Sequence, residues 1–210
     1  MMDLVNTVGF DFISIGNHEF DISIKGFASK AATVSAPTQV RSCEVSSTAF
    51  HHCLPPATEG PNPDPDPGHD SGSNPNPDPN PDVQVLNSNV LNPELAFLPR
   101  AAAVAVGGRT AVFGGYCTSD ASIYAPNSLP KFEAVNDSII RTWEESCATL
   151  GAPPDVMVPL THQLTSEDKA TCVHVQKHCP LLAARMPVLV AGHDHSVFID
   201  EVLEIFARKP

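Results

Sequence analysis

Two runs, residues 61–67 and 74–81, alternate proline with Asn or Asp, and they dominate the stretch from Thr58 to Asp82. Each proline removes a backbone donor and biases the residue before it away from the helical region. No helix or interior strand can cross such a tract. It reads as an extended, polyproline-like, disordered linker. Its Asp and Asn side chains suggest calcium as a partner, but no Gly-containing coordinating loop accompanies them, and the linker reading is the simpler one. Ordered structure must therefore come from two segments, 1–44 and 83–210, separated by an insert over 45–82. The charge follows the same division. Between Ser42 and Pro99 there is no Lys or Arg but there are eight acidic residues, so −8 of the formal −12 belongs mostly to the insert.

The hydrophobic content of 42% is enough to build a core in the remainder. Twelve basic against twenty-four acidic residues argue against a nucleic-acid polymer or an anionic membrane as partner, since both need clustered Lys and Arg. Six cysteines without a C-x-x-C pair are too sparse for a disulfide scaffold and read as reduced thiols. No apolar run reaches the length of a membrane span. The first residues lack the basic and apolar regions of a signal peptide, which makes a soluble, cytoplasmic chain the default; a longer N-terminus could change that compartment.

Residues 2–8 read as the end of a helix closed by Gly9, followed by a strand over Phe12–Ile15, a loop over Gly16–Asp21 and a helix over 22–32. After the insert, order resumes at Val83–Leu91. Ala103–Val106 and Thr110–Phe113 flank Gly107-Gly108 as a hairpin. Phe132, Val135, Ile139, Trp143, Cys147 and Leu150 recur at spacings of three and four, which predicts a helix over 131–150, stopped by Gly151 and Pro153-Pro154, with Trp143 in the core. Val156–Leu160 is the next strand. Thr165 with Asp168 resembles a capping box for a helix reaching about Lys177, and Val188–Val190 is a last strand. Strands alternating with helices predict an α/β architecture with its chemistry at strand C-termini.

Three of these short apolar strands end in polar clusters: Gly-Asn-His-Glu (16–19), Leu-Thr-His-Gln (160–163) and Gly-His-Asp-His (192–195). Imidazole nitrogens with amide or carboxylate oxygens are donors that divalent transition metals accept. In one α/β sheet such ends lie side by side, so the three clusters predict a shared metal site. A second metal-ligating pattern, Cys172-x-His174 with His178-Cys179, has two His four apart on a helix; packed cysteines and surface histidines are its plainer reading. His51, His52, Cys53 and His69 lie in or beside the proline tract and read as solvated.

Gly-Asn-His-Glu-Phe-Asp (16–21), Leu-Thr-His-Gln and Gly-His-Asp-His, in this order, resemble the calcineurin-like metallophosphoesterases, and the Phe-Asp extension resembles their 5′-nucleotidase-like branch. The resemblance covers nearly the whole chain outside about 45–82. It implies part of the α/β/β/α two-sheet sandwich of metallo-dependent phosphatases. It also implies a phosphoesterase that hydrolyses phosphate monoesters, nucleotides among them, by a metal-activated hydroxide. Two divalent metal ions (Mn, Zn, Fe, Mg or Co) would be the cofactors and a small phosphorylated molecule the substrate. Asn17, His162 and His193 would hold one ion and His195 the other. His18 would stabilise the phosphate in the transition state or protonate the leaving oxygen, with Asp21 orienting and charge-supporting it. Glu19 and Gln163 would support the ligands without binding metal.

The sequence departs from the family at two motifs. An opening strand ending in Asp-x-His and a later Gly-Asp-x-x-Asp, source of the carboxylate that bridges the metals, do not occur. The expectation is of a domain incomplete at both ends, lacking the first strands and the strands that close the second sheet. The competing expectation is a truncated, non-catalytic remnant that binds at most one metal.

Overall fold

A computed structural model of the 210-residue chain describes residues 11–33 and 83–195. The helix expected at 2–8 and the insert over 45–82 lie outside these residues. Phe12–Ser14 forms β1, followed by a 3₁₀ helix over Asn17–Ile22, where a loop is expected, and by α1, Ile24–Ala31. The helix starts at Ile24 rather than 22 because Ser23, with φ of 86°, breaks the path, and its Oγ accepts from the Gly26 amide. Gln84–Leu86 is β2 and pairs with β1 in parallel, Phe12 opposite Gln84 and Ser14 opposite Leu86.

Ala101–Val106 (β3) and Arg109–Cys117 (β4) form the expected hairpin in longer form, with Gly107 and Gly108 both at positive φ, as a tight two-residue turn requires. Val156–His162 (β5) lies parallel to β4, and Val190–Gly192 (β6) parallel to β5. The last strand runs two residues further along the chain than the 188–190 expected, with Gly192 opposite His162. Its polar cluster therefore starts at the strand's own end.

The three histidine-bearing strand ends do not share one sheet. β1 belongs to the two-stranded sheet, whereas β5 and β6 belong to the four-stranded one, ordered β3-β4-β5-β6. Convergence comes from packing: β1 lies against β4 and β5. Phe12 stacks on Phe113 with ring centroids 4.7 Å apart. Period-2 alternation along β4 gives each face its own core. Cys117 joins Ile15, Phe20, Phe27, Val85 and Leu95 under α1, while Tyr116 joins Ile139, Trp143, Met157, Val175, Leu182 and Met186. Apart from Tyr116 of β4 and Met157 of β5, the second group comes from α2 (Val135–Leu150), α3 (Thr165–His178), the short α4 (Pro180–Ala183) and the residues after it. The layers are helix, small sheet, large sheet, helices, which is the α/β/β/α arrangement expected.

Three sequence expectations need correction. The long helix begins at Val135, not 131, because the backbone before it is already committed. The Lys131 amide donates to Asn92 Oδ1, Lys131 O accepts from the Leu91 amide, and the Glu133 amide donates to Asn89 O. Phe132 bridges to Val90 and packs in the first core instead. At the other end Leu150 is 41% exposed and leaves the core stripe at Cys147. The Thr165–Asp168 capping box does not form: Leu164 takes the N-cap, its amide donates to the Glu167 carboxylate, and Asp168 turns inward. Cys117, Cys147, Cys172 and Cys179 are all free thiols. Among the described residues, no helix is long and apolar enough to cross a membrane.

Candidate active site

β1 and β5 deliver the first two site residues to one point. The side chain of Asn17, buried in the first turn after β1, places Oδ1 3.0 Å from His162 Nε2, at the end of β5. Gly16 makes this approach feasible. A Cβ there would stand 3.0 Å from the His162 ring and 2.9 Å from Glu19 Oε2, so any larger residue would displace one of them. Glu19 serves this turn, its carboxylate accepting from the Gly16 amide at 2.9 Å. His193, just past β6, brings its ring to a centroid distance of 5.1 Å from His162 in an edge-on arrangement.

The backbone on either side of His162 is held by a buried carboxylate. Asp168 Oδ1 accepts from the Thr161 hydroxyl and from Gln163 Nε2, both at 2.8 Å, and Gln163 also donates to Thr171 Oγ1. Burial raises the Asp168 carboxyl above its ordinary range, opposed by these two donors. Gln163 is tied to this carboxylate, and Asp168 fills this buried position instead of the cap its sequence spacing had suggested. The loop after β2 contributes a second buried frame. Asn89 donates to Cys117 O at 2.7 Å and accepts from the Cys117 amide at 2.9 Å, tying that loop to the end of β4 beside β5. No local pattern marks Asn89; its role exists only once β4 lies beside it.

His162 is the electrostatic centre. Burial pushes its imidazole down to about 4, and the charges of His193, His18 and His195 act in the same direction. It is neutral at physiological pH, the form in which an imidazole binds metal. His18 is exposed, and its Nδ1 lies 2.9 Å from Asp21 Oδ2. His195 is exposed as well, two residues beyond His193, and both adopt positive φ, 106° at His193 and 53° at His195.

The structure therefore brings Asn17 and His193 to His162, and the charges of His18 and His195 act on the His162 imidazole. Among the described residues, no three His, Cys, Asp or Glu side chains stand ready as a ligand set; the third donor beside the two imidazoles is the Asn17 amide oxygen. One amide oxygen and two imidazoles are a donor set that one transition-metal dication accepts. For a second ion the expected set provides only His195. The alternative cluster reads as packing: Cys172 and Cys179 lie against the second core, and the His174 and His178 rings rest 4.3 Å apart.

No protein-family model matches the sequence. No curated protein matches it either. Solved structures do match. The 5′-nucleotidase precursor from Thermus thermophilus superposes with a TM-score of 0.51 at 19% identity, covering 90% of this chain and 28% of that one. The Haemophilus influenzae NAD nucleotidase superposes with a TM-score of 0.56 at 14% identity, covering 97% and 27%. The fold is thus part of a nucleotidase-type α/β fold, and the chain spans little more than a quarter of the length of either neighbour.

Proposed function

We propose that the chain is a metal-dependent phosphoesterase that hydrolyses phosphate monoesters, nucleotides among them. The observation that carries this reading is the meeting of Asn17 with His162 and His193, beside the His18–Asp21 pair, in a fold shared with nucleotidase structures. Asn17, His162 and His193 would hold one divalent ion and His195 a second, drawn from Mn, Zn, Fe, Mg or Co. When bound, such ions supply positive charge against the phosphate and an activated water. His18 would act on the substrate. With Nδ1 engaged by Asp21, its Nε2 is free to donate to a phosphate or leaving-group oxygen, and Asp21 fixes the ring's orientation. Asp168, Thr161 and Gln163 keep His162 in place.

Purified chain assayed on p-nitrophenyl phosphate and AMP should show hydrolysis that chelator abolishes and divalent metal restores. His18→Ala should cut turnover by about 10² to 10⁴, the range for losing a general acid–base group, with bound metal unchanged. Hydrolysis that is indifferent to metal would overturn the proposal.

The sequence's lack of Asp-x-His and Gly-Asp-x-x-Asp favours a second reading, a remnant that binds at most one metal and does not catalyse. One bound metal without turnover would select it.

A further inference from the structure

Asp194 lies between the two C-terminal histidines and has no role in the reading above. Its Oδ2 accepts from the Thr165 amide at 2.7 Å and from the Thr165 hydroxyl. Thr165 is the first residue of α3, whose opening N–H groups have no partner within the helix and whose positive end favours a carboxylate.

The turn that Asp194 fastens is not self-supporting. His193 and His195, on either side of it, occupy left-handed backbone conformations that non-glycine residues persist in only where the surroundings impose them. β6 imposes little. It is three residues long and exposed, and among the described residues it pairs only with β5. α3 is also the helix whose Asp168 anchors Thr161 and Gln163 around His162. One helix thus grips both sides of the site, His162 through Asp168 and the His193–His195 turn through Asp194.

We propose that Asp194 is a positioning residue: by clamping the turn to the N-terminus of α3 it holds His193 against His162, and so sets the donor geometry for metal. The metal part of this inference rests on the phosphoesterase reading; the clamp does not. The test uses the full chain as wild type, Asp194→Ala, Asp194→Asn and Thr165→Val. Three quantities are read: the nuclear Overhauser contact between the His162 and His193 rings in metal-free protein, the Mn²⁺ Kd by calorimetry, and the melting temperature. Asp194→Ala should lose the ring contact and bind Mn²⁺ about 10- to 100-fold more weakly, with little change in melting. Asp194→Asn keeps an acceptor oxygen and should retain the contact and most of the affinity, while Thr165→Val, which removes one of the two bonds, should fall between. A ring contact preserved in Asp194→Ala would overturn the clamp, and a lost contact with unchanged Mn²⁺ affinity would overturn its role in metal geometry. If wild type binds none of Mn²⁺, Zn²⁺, Fe²⁺, Mg²⁺ and Co²⁺, the phosphoesterase reading and the metal role of Asp194 both fail, and the ring contact alone decides the clamp.

Discussion

Lowering the pH should destabilise this protein through His162, and the sign and size follow from its surroundings. In the unfolded chain the imidazole titrates at the ordinary 6.5, while in the fold burial and three neighbouring imidazoles push it to about 4. Between those values the unfolded chain binds a proton that the folded chain does not. Stability is therefore present above 6.5 and is lost as pH falls towards 4. Taken in full the difference is worth about 3 kcal/mol. His162 is only half-buried, and screening by water reduces that to about 1–2 kcal/mol. Urea unfolding of chelated protein, followed through Trp143, the only tryptophan and a buried one, measures it directly. Other groups titrate over the same range, so the quantity to compare is the change between pH 7 and pH 5 in wild type against His162→Gln. The variant should lose about 1 kcal/mol less on acidification. Equal losses in both proteins would show that His162 is not held neutral and would refute the reasoning.

Two further outcomes follow from packing and from chain composition. Gly115→Ala puts a Cβ 2.5 Å from Leu86 O and 2.8 Å from Leu86 Cβ, where the two sheets touch, and strains the bond from the Gly115 amide to Ser88 Oγ. It should cost about 1–3 kcal/mol, read as a melting temperature lower by several degrees, and an unchanged value would mean the sheets separate freely. Deleting residues 59–82, the alternating-proline stretch expected from sequence to be a linker, should leave melting and any hydrolysis nearly unchanged; a large loss of either would contradict the linker reading.

Local pattern was enough for the elements whose causes are local. The Gly-Gly hairpin, the stripe Val135–Ile139–Trp143, the strands at Phe12–Ser14 and Val156–His162 and the helix expected to reach about Lys177 follow from turn chemistry and from periods of two and 3.6. The three clusters holding Asn17, His18, His162, His193 and His195 can be read directly in the sequence as polar segments after apolar ones. What failed locally failed for a tertiary reason. Phe132 keeps the helical spacing, yet residues 131–133 spend their backbone bonds on 89–92, so the helix starts later. Thr165 and Asp168 have capping spacing, but Thr165 is claimed by Asp194, far along the chain, and Asp168 turns back to Thr161 and Gln163 at the end of the preceding strand.

The polar clusters that suggest chemistry, and the strands Phe12–Ser14 and Val156–His162 before two of them, are legible residue by residue, because strand and turn propensities act over a few positions. The meeting of Asn17 from one sheet with His162 and His193 from another, and the hold of α3 on both histidines, arise only once the chain has folded. Those contacts span 145 residues in the case of Asn17 and His162. They depend on the packing of two sheets through Phe12, Phe113 and Gly115, which no local pattern encodes.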